Sequence, residues 1–302
     1  MAVGVHKLVT AAEAVARFVT PGAVVGMGGQ NINRCPMALV HEVARQGLGD
    51  LAVVGCNLSV PLDILVACGL VARTEHGSGN LERYGTLFAW RRAAEAGSIE
   101  VRDHSHLAMA TRFAAGAIGV PFMPTRSLLG TDVLRGLIDL DIARLMEFDG
   151  QPIVLMRALT PDVSLIHVHQ ADPLGNAVIE GVTSHEVDMV RASRATIISA
   201  EEIVPPGSLG ERPERVTISE AYVSAVVHQP YGAYPTSVYR RYDFAEDEIK
   251  AYQAVARAGG AEFDHWIRRY VLEPERFDDY LDRRDPDAAG RLAMSSSMRS
   301  MV

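Results

Sequence analysis

The chain is short of three things, and each shortage closes off a class of function. Among its 302 residues are only three cysteines, Cys35, Cys56 and Cys68, in no CxxC or other metal-binding spacing. So sparse and odd a set excludes a disulfide framework and suits a reducing compartment. Positive charge is in deficit: 29 Lys and Arg against 37 Asp and Glu leave a formal charge of −8. With no basic stripe to neutralise a phosphate backbone, nucleic acid is excluded as the main partner. Long apolar runs are missing too. The most apolar stretch, 62–72, is far too short to span a bilayer, and the opening MAVGVHKLVT has no signal-peptide core. A soluble, cytoplasmic protein is expected. Internal repeats and low-complexity linkers are equally absent.

What remains has the composition of an ordinary globular protein, 48% hydrophobic and 22% charged. The length suffices for one large α/β domain or two smaller ones. Strand and helix signals alternate. Thr10 and Glu13 form a capping box before AAEAVARFV, which Pro21-Gly22 ends. AVVGM (23–27) and LAVVG (51–55) read as strands buried on both faces. Between them Pro36 opens the helix MALVHEVARQ, closed by Gly47. A short helix is expected in PLDILVACG, and two amphipathic helices at about 80–96 and 105–117. Strands follow around 163–169, 176–181, 195–201 and 221–228, with β-branched residues and alternation that fit a mixed sheet. From Ala245 to about Arg284 the pattern is helical again. These elements predict one α/β unit, residues 1–284, with an added C-terminal helical layer and a flexible tail over 285–302.

The segment GMGGQNINRCPMALVHEV (26–43) places two adjacent glycines and a polar run at a strand-to-helix junction. In an open parallel sheet, ligands sit at the carboxyl ends of strands. Gly28 and Gly29 would let a ligand approach the main chain, with Gln30, Asn31, Asn33 and Arg34 adding donors. The plainer alternative is a tight turn with amide capping. A Walker loop is excluded because no GK[ST] follows, and the glycine spacing is not GxGxxG. GSGN (77–80) reads either as a backbone nest or as a helix N-cap by Ser78 or Asn80. In QPYGAYPTS (229–237), Gly232 lies between Tyr231 and Tyr234, as a pocket wall or a packed turn. His167 and His169 share one strand face but lack a third metal ligand in register, so no metal site is expected. RDHSHLA brings Asp103, His104 and His106 together near a helix start, where an acid–base pair is conceivable. Cys35 has no partnered base.

PGAVVGMGGQNINRCP (21–36) closely resembles the N-terminal signature of the family I coenzyme A transferases on their α-subunit side. LAVVGCNLSVPLDILVACGLV, IEVRDHSHLAMATRFAAGAIGVPFMP and SLIHVHQADPLGNAVIEG resemble later family segments in the same order. AEEIVPP and VVHQPYGAYPTSVYRRYDF are similar to the branch typified by glutaconate CoA-transferase. The resemblance covers about residues 8–284 and implies the family's mostly parallel, helix-flanked sheet. It implies an activity too. CoA moves from an acyl-CoA to a carboxylic acid through a glutamyl-CoA thioester, which splits one hard exchange into easier steps.

In the two-subunit members the glutamate nucleophile belongs to the β subunit. Glu42, Glu75, Glu82, Glu147, Glu180, Glu186 and Glu220 stand in no matching loop, and Glu201-Glu202 match an α-subunit position that is not the nucleophile. The resemblance therefore implies no catalytic nucleophile in this chain and a β partner of about 250–270 residues. Assembly as α2β2 or α4β4 is expected, with CoA thioester as substrate and no resident cofactor. Carried over, Gly28, Gly29, Gln30 and Asn31 would bind substrate and stabilise an oxyanion, at about 3 kcal/mol per donor. Arg34 would meet a substrate carboxylate, or else make a surface ion pair. Ser78, Asn80, Tyr231 and Gly232 would wall the pocket. Two alternatives stand beside this reading: half of a ring-opening CoA-thioester hydrolase, and a non-catalytic ligand-binding relative.

Overall fold

The computed structural model describes residues 6–284. Its main sheet joins β1 (Val24–Met27), β2 (Leu51–Leu58), β3 (Val71–Gly79), β4 (Glu100–Asp103), β8 (Val163–Ala171), β10 (Ala195–Ile203) and β11 (Ala225–His228) in the order β11-β10-β8-β1-β2-β3-β4. Every neighbouring pair along that path is parallel; only the two-residue β9 (Ala177–Val178) pairs antiparallel, with β8. The architecture is the expected mostly parallel α/β sheet flanked by helices. Burial explains the continuous apolar runs: all eight residues of β2 are buried. The chain order reverses beside β1, next to β8, and a switch of this kind opens a crevice at the strands' carboxyl ends.

Helices fill both faces. The Thr10–Glu13 capping box forms as expected and starts α1 (Ala11–Phe18). On one side lie α2 (Met37–Arg45), α3 (Val60–Ala67) and α4 (Phe88–Glu95), and on the other α5 (His106–Ala117) and α7 (Glu186–Ala192). The predicted C-terminal layer is present as α8 (Glu246–Ala258), α9 (Gly260–Ile267), a π-helical turn at 268–272 and α10 (Phe277–Arg284). Its Ile249, Tyr252, Phe263, Phe277 and Tyr280 pack into the core of α2 and α3. The expected tail, 285–302, lies outside the described residues. Among the described residues no helix is long and apolar enough to cross a membrane.

Two departures bear on function. The helix expected over 80–96 starts only at Phe88, because β3 runs through GSG and a 3-10 turn follows at Glu82–Tyr84. A second, antiparallel sheet of β5 (Phe122–Thr125), β7 (Gln151–Arg157) and β6 (Ala143–Phe148) was not anticipated. One of its faces packs Ala143, Val154 and Met156 against α5 and α6 (Asp132–Asp139). Elsewhere Phe122, Leu145, Met146 and Phe148 stay exposed.

Candidate functional site

The loop between β1 and α2 lies at the carboxyl edge of the sheet, as predicted, but most of its donors face inward. The Gly28 N–H donates to Leu165 O at 2.9 Å, and the Gly29 N–H to the Glu186 carboxylate at 2.8 Å. Gln30 and Asn33 exchange their backbone bonds at 2.9 Å. The glycines serve the same packing. A Cβ at Gly28 would sit 2.7 Å from Glu186 Oε1, and Gly29 has φ +85° with Asn33 O and Cys35 Cα 2.9 Å from its missing Cβ. Bare backbone here admits a carboxylate, and that carboxylate belongs to the chain itself.

Arg34 departs from both expectations. It is 1% exposed, so it makes no surface ion pair. Its guanidinium donates to Glu186 through both terminal nitrogens, to His167 O at 3.0 Å and to Val182 O at 3.0 Å. Glu186, the first residue of α7, fills the forked position in which a substrate carboxylate was expected. Sequence reasoning missed this role. The partners are 152 residues apart, and Glu186 lies in no motif.

The donors left in the loop are the Gln30 side chain and the Asn31 and Ile32 N–H groups, none of which has a hydrogen-bond partner among the described residues. Asn31 also bonds Glu82 through its amide and accepts from the Ser59 hydroxyl and the Cys35 thiol at its carbonyl. Its Oδ1 is buried without a partner among the described residues. Burial pushes the Cys35 thiol up to about 11, which removes it as a nucleophile.

Beside this loop, the ends of β2 and β3 form a polar rim. The Ser78 hydroxyl lies 2.6 Å from Asn57 Oδ1 and 3.0 Å from His106 Nε2, at the start of α5. Asn80 accepts from the Glu82 N–H at 2.9 Å and so caps the short turn. Asn31, Ser78, Asn80, Glu82 and His106 thus line one edge. Asp103 and His106 share no hydrogen bond. His104 turns inward to the buried Glu75–Arg112 pair. Burial alone would raise the Glu75 carboxyl, but the bonds from His104 and Arg112 hold it well below its usual range.

Tyr231 and Gly232 lie apart from that rim, in a segment stitched to the far side of the glycine loop. The Arg34 N–H donates to Ser237 O at 2.7 Å, and the Ala38 N–H to Gly232 O at 2.9 Å. Glu201 anchors the segment, accepting from the Tyr231 N–H at 2.9 Å, Tyr242 Oη at 2.5 Å and His167 Nε2 at 2.7 Å. Burial opposes ionisation of Glu201, yet the His167 and Tyr242 bonds lower its pKa. His167 is also held by Ser199 at 2.8 Å, and His169 by Tyr239 O at 2.9 Å. Both rings therefore have protein partners, and among the described residues no three His, Cys, Asp or Glu converge as metal ligands.

The chain is similar to known proteins over most of its length. The coenzyme A transferase family model matches residues 8–229. The chain is 36% identical to an uncharacterized protein of Archaeoglobus fulgidus over 91% of its own length, but spans only 62% of that relative. It is 28% identical to the A subunit of glutaconate CoA-transferase from Acidaminococcus fermentans, covering 92% of this chain and 91% of the other. It is 29% identical to the A subunit of 3-oxoadipate CoA-transferase from Pseudomonas knackmussii, covering 91% and 96%. The crystal structure of glutaconate CoA-transferase from Acidaminococcus fermentans superimposes with a TM-score of 0.88 at 27% identity, over 95% of this chain and 94% of the other. The decarboxylase AibA/AibB superimposes at 0.76 with 29% identity, over 88% and 99%.

Proposed function

This chain belongs to the coenzyme A transferase family, and on that premise we propose that it is the α half of a two-subunit enzyme moving CoA between an acyl-CoA and a carboxylic acid. The observation that carries the reading is coverage: the chain matches the A subunits of two transferases over more than nine tenths of their lengths. In the proposed reaction a glutamate of the partner attacks the thioester. The departing CoA thiolate then attacks the glutamyl carbonyl of the resulting anhydride, releasing the donor acid as its carboxylate. The acceptor acid collects CoA from the glutamyl thioester, freeing the glutamate.

Carboxylate placement within the chain supports a nucleophile elsewhere. Glu75, Glu186 and Glu201 each hold fixed internal partners. Glu82, at the rim, is bound by the Asn31 amide. This chain contributes the opposite wall: Gln30 and Asn31 as donors toward the developing oxyanion, and Ser78 and Asn80 toward the acyl group. CoA thioester is substrate, with no resident cofactor. A cytoplasmic α2β2 or α4β4 assembly accords with this reading.

The test is mass spectrometry of the co-purified complex after incubation with acyl-CoA alone. A CoA adduct on a partner glutamate is expected. An adduct on Glu82, or CoA released at enzyme-like rates with no adduct and no acceptor acid, overturns the proposal. The second result would mark a thioester hydrolase.

A further inference from the structure

The motif RDHSHLA is unused by the function just proposed, yet His106 stands at the rim with one ring nitrogen fixed and the other open. It is the first residue of α5, whose N-cap, Ser105, accepts from the Ala108 N–H at 3.0 Å. It reaches the rim because residue 77 is glycine: a Cβ there would lie 2.3 Å from His106 Cδ2 and 2.6 Å from its backbone nitrogen. Asn57, 8% exposed, anchors a chain of hydrogen bonds across β2, β3 and α5.

The direction of that chain follows from donor chemistry. Asn57 Oδ1 only accepts, so the Ser78 hydroxyl donates to it. Ser78 Oγ, its proton committed, accepts from His106 Nε2–H. Nδ1 is therefore the ring nitrogen left to meet a ligand: it has no partner among the described residues, and the side chain is exposed. The surrounding titratable groups come from every neighbouring element. Asp103 ends β4, and Glu82 stands on the same edge in the turn after β3, its carboxylate bound by the Asn31 amide. Cys56 of β2 meets His106 O at 3.6 Å, His76 lies on β3, His104 pairs with Glu75, and His185 precedes α7. Arg34 and Arg112, the buried arginines nearby, are already matched to Glu186 and Glu75.

We propose that His106 is a specificity-determining residue that meets a carboxylate at the far end of the acyl group. The inference rests on the transferase reading for the identity of the thioester. When the carboxylate arrives, Nδ1 takes one proton from solvent. The ring then carries a positive charge, Nε2–H stays on Ser78, and Nδ1–H donates to the substrate. Substrates ending in a methyl group gain nothing from this contact.

The probe pair is glutaryl-CoA and pentanoyl-CoA, equal in carbon count and different only at the acyl terminus. Binding of each to the α–β complex is measured by calorimetry for the native protein, His106→Gln and His106→Lys, with thermal melts confirming that each variant folds. Gln retains a donor for Ser78 but cannot take a charge. The native complex is expected to prefer glutaryl-CoA. His106→Gln should cut that preference at least about tenfold, and His106→Lys should restore part of it. An equal preference in native and His106→Gln complexes, or no preference in the native one, overturns the inference. Turnover in the same samples separates the two claims. Discrimination by His106 without CoA exchange would sink the transferase reading alone, whereas exchange with unaltered discrimination would sink the His106 assignment alone.

Discussion

Arg34 shows how a single residue can keep its chemistry and change its partner. A guanidinium beside a glycine loop is well suited to a carboxylate, and it binds one, but from α7 of the same chain. Both groups are nearly inaccessible, with side-chain exposures of 2% and 1%. Desolvating two charges costs several kcal/mol, offset only while the pair and its extra bonds to Gly29, His167 and Val182 are intact. Glu186→Ala removes one partner and leaves the arginine charge buried. It should destabilise the chain by about 3–5 kcal/mol, read from urea unfolding midpoints. The double variant Arg34→Met with Glu186→Leu, lacking both charges, should lose less than Glu186→Ala. Similar losses in the two would show that the charge pair is not the source of the effect.

At the scale of elements, the same contrast decides which parts of the fold were legible. Strands β1 and β2 announce themselves because burial on both faces demands unbroken apolar runs, whereas β8 and β10 are read from β-branched residues and alternation. The caps of α1 and α5 are local too, each set by residues three apart. The small sheet β5-β7-β6 has no such signature: β6 is exposed at five of six positions, and β5 contains Pro124. The rim was half legible for a related reason. Its polar residues lie at strand ends where the pattern points, whereas their orientations depend on cross-chain contacts. Gly77 is one such contact, since it seats α5 on β3. Gly77→Ala would place a methyl against the His106 backbone, where yielding means moving the helix start. A loss of about 1–3 kcal/mol is expected, seen as a lower melting temperature. Transferase activity of the complex should fall further than stability does, because the displaced group is the rim itself. An unchanged melting temperature would show that α5 shifts freely.

At the scale of the molecule, the inventory of buried titratable groups sets how stability depends on pH. Burial lowers His41 from 6.5 to about 3, and His76 and His169 to about 4. His41 and His76 have no hydrogen-bond partner for either ring nitrogen among the described residues. A histidine with a lowered folded pKa binds its proton more readily unfolded, so stability rises with pH through the interval and is lost as pH falls below about 6.5. Asp63 works the other way. Burial raises it to about 6 despite bonds from the Trp90 N–H and Tyr252 Oη, so its contribution is lost as pH rises from about 4 to 6. Burial lowers His104 and His185 as well, so the histidines outweigh the one aspartate, the unfolded chain holds more protons over this range, and stability falls as pH falls. Urea midpoints measured from pH 7.5 down to 5 should therefore fall steadily. His41→Leu, which replaces an unpartnered ring between Phe277 and Tyr280 with an apolar side chain, should flatten the fall. Midpoints constant over that range would mean that water or rearrangement reaches these rings, and that the layer formed by α10 over α2 is looser than its packing implies.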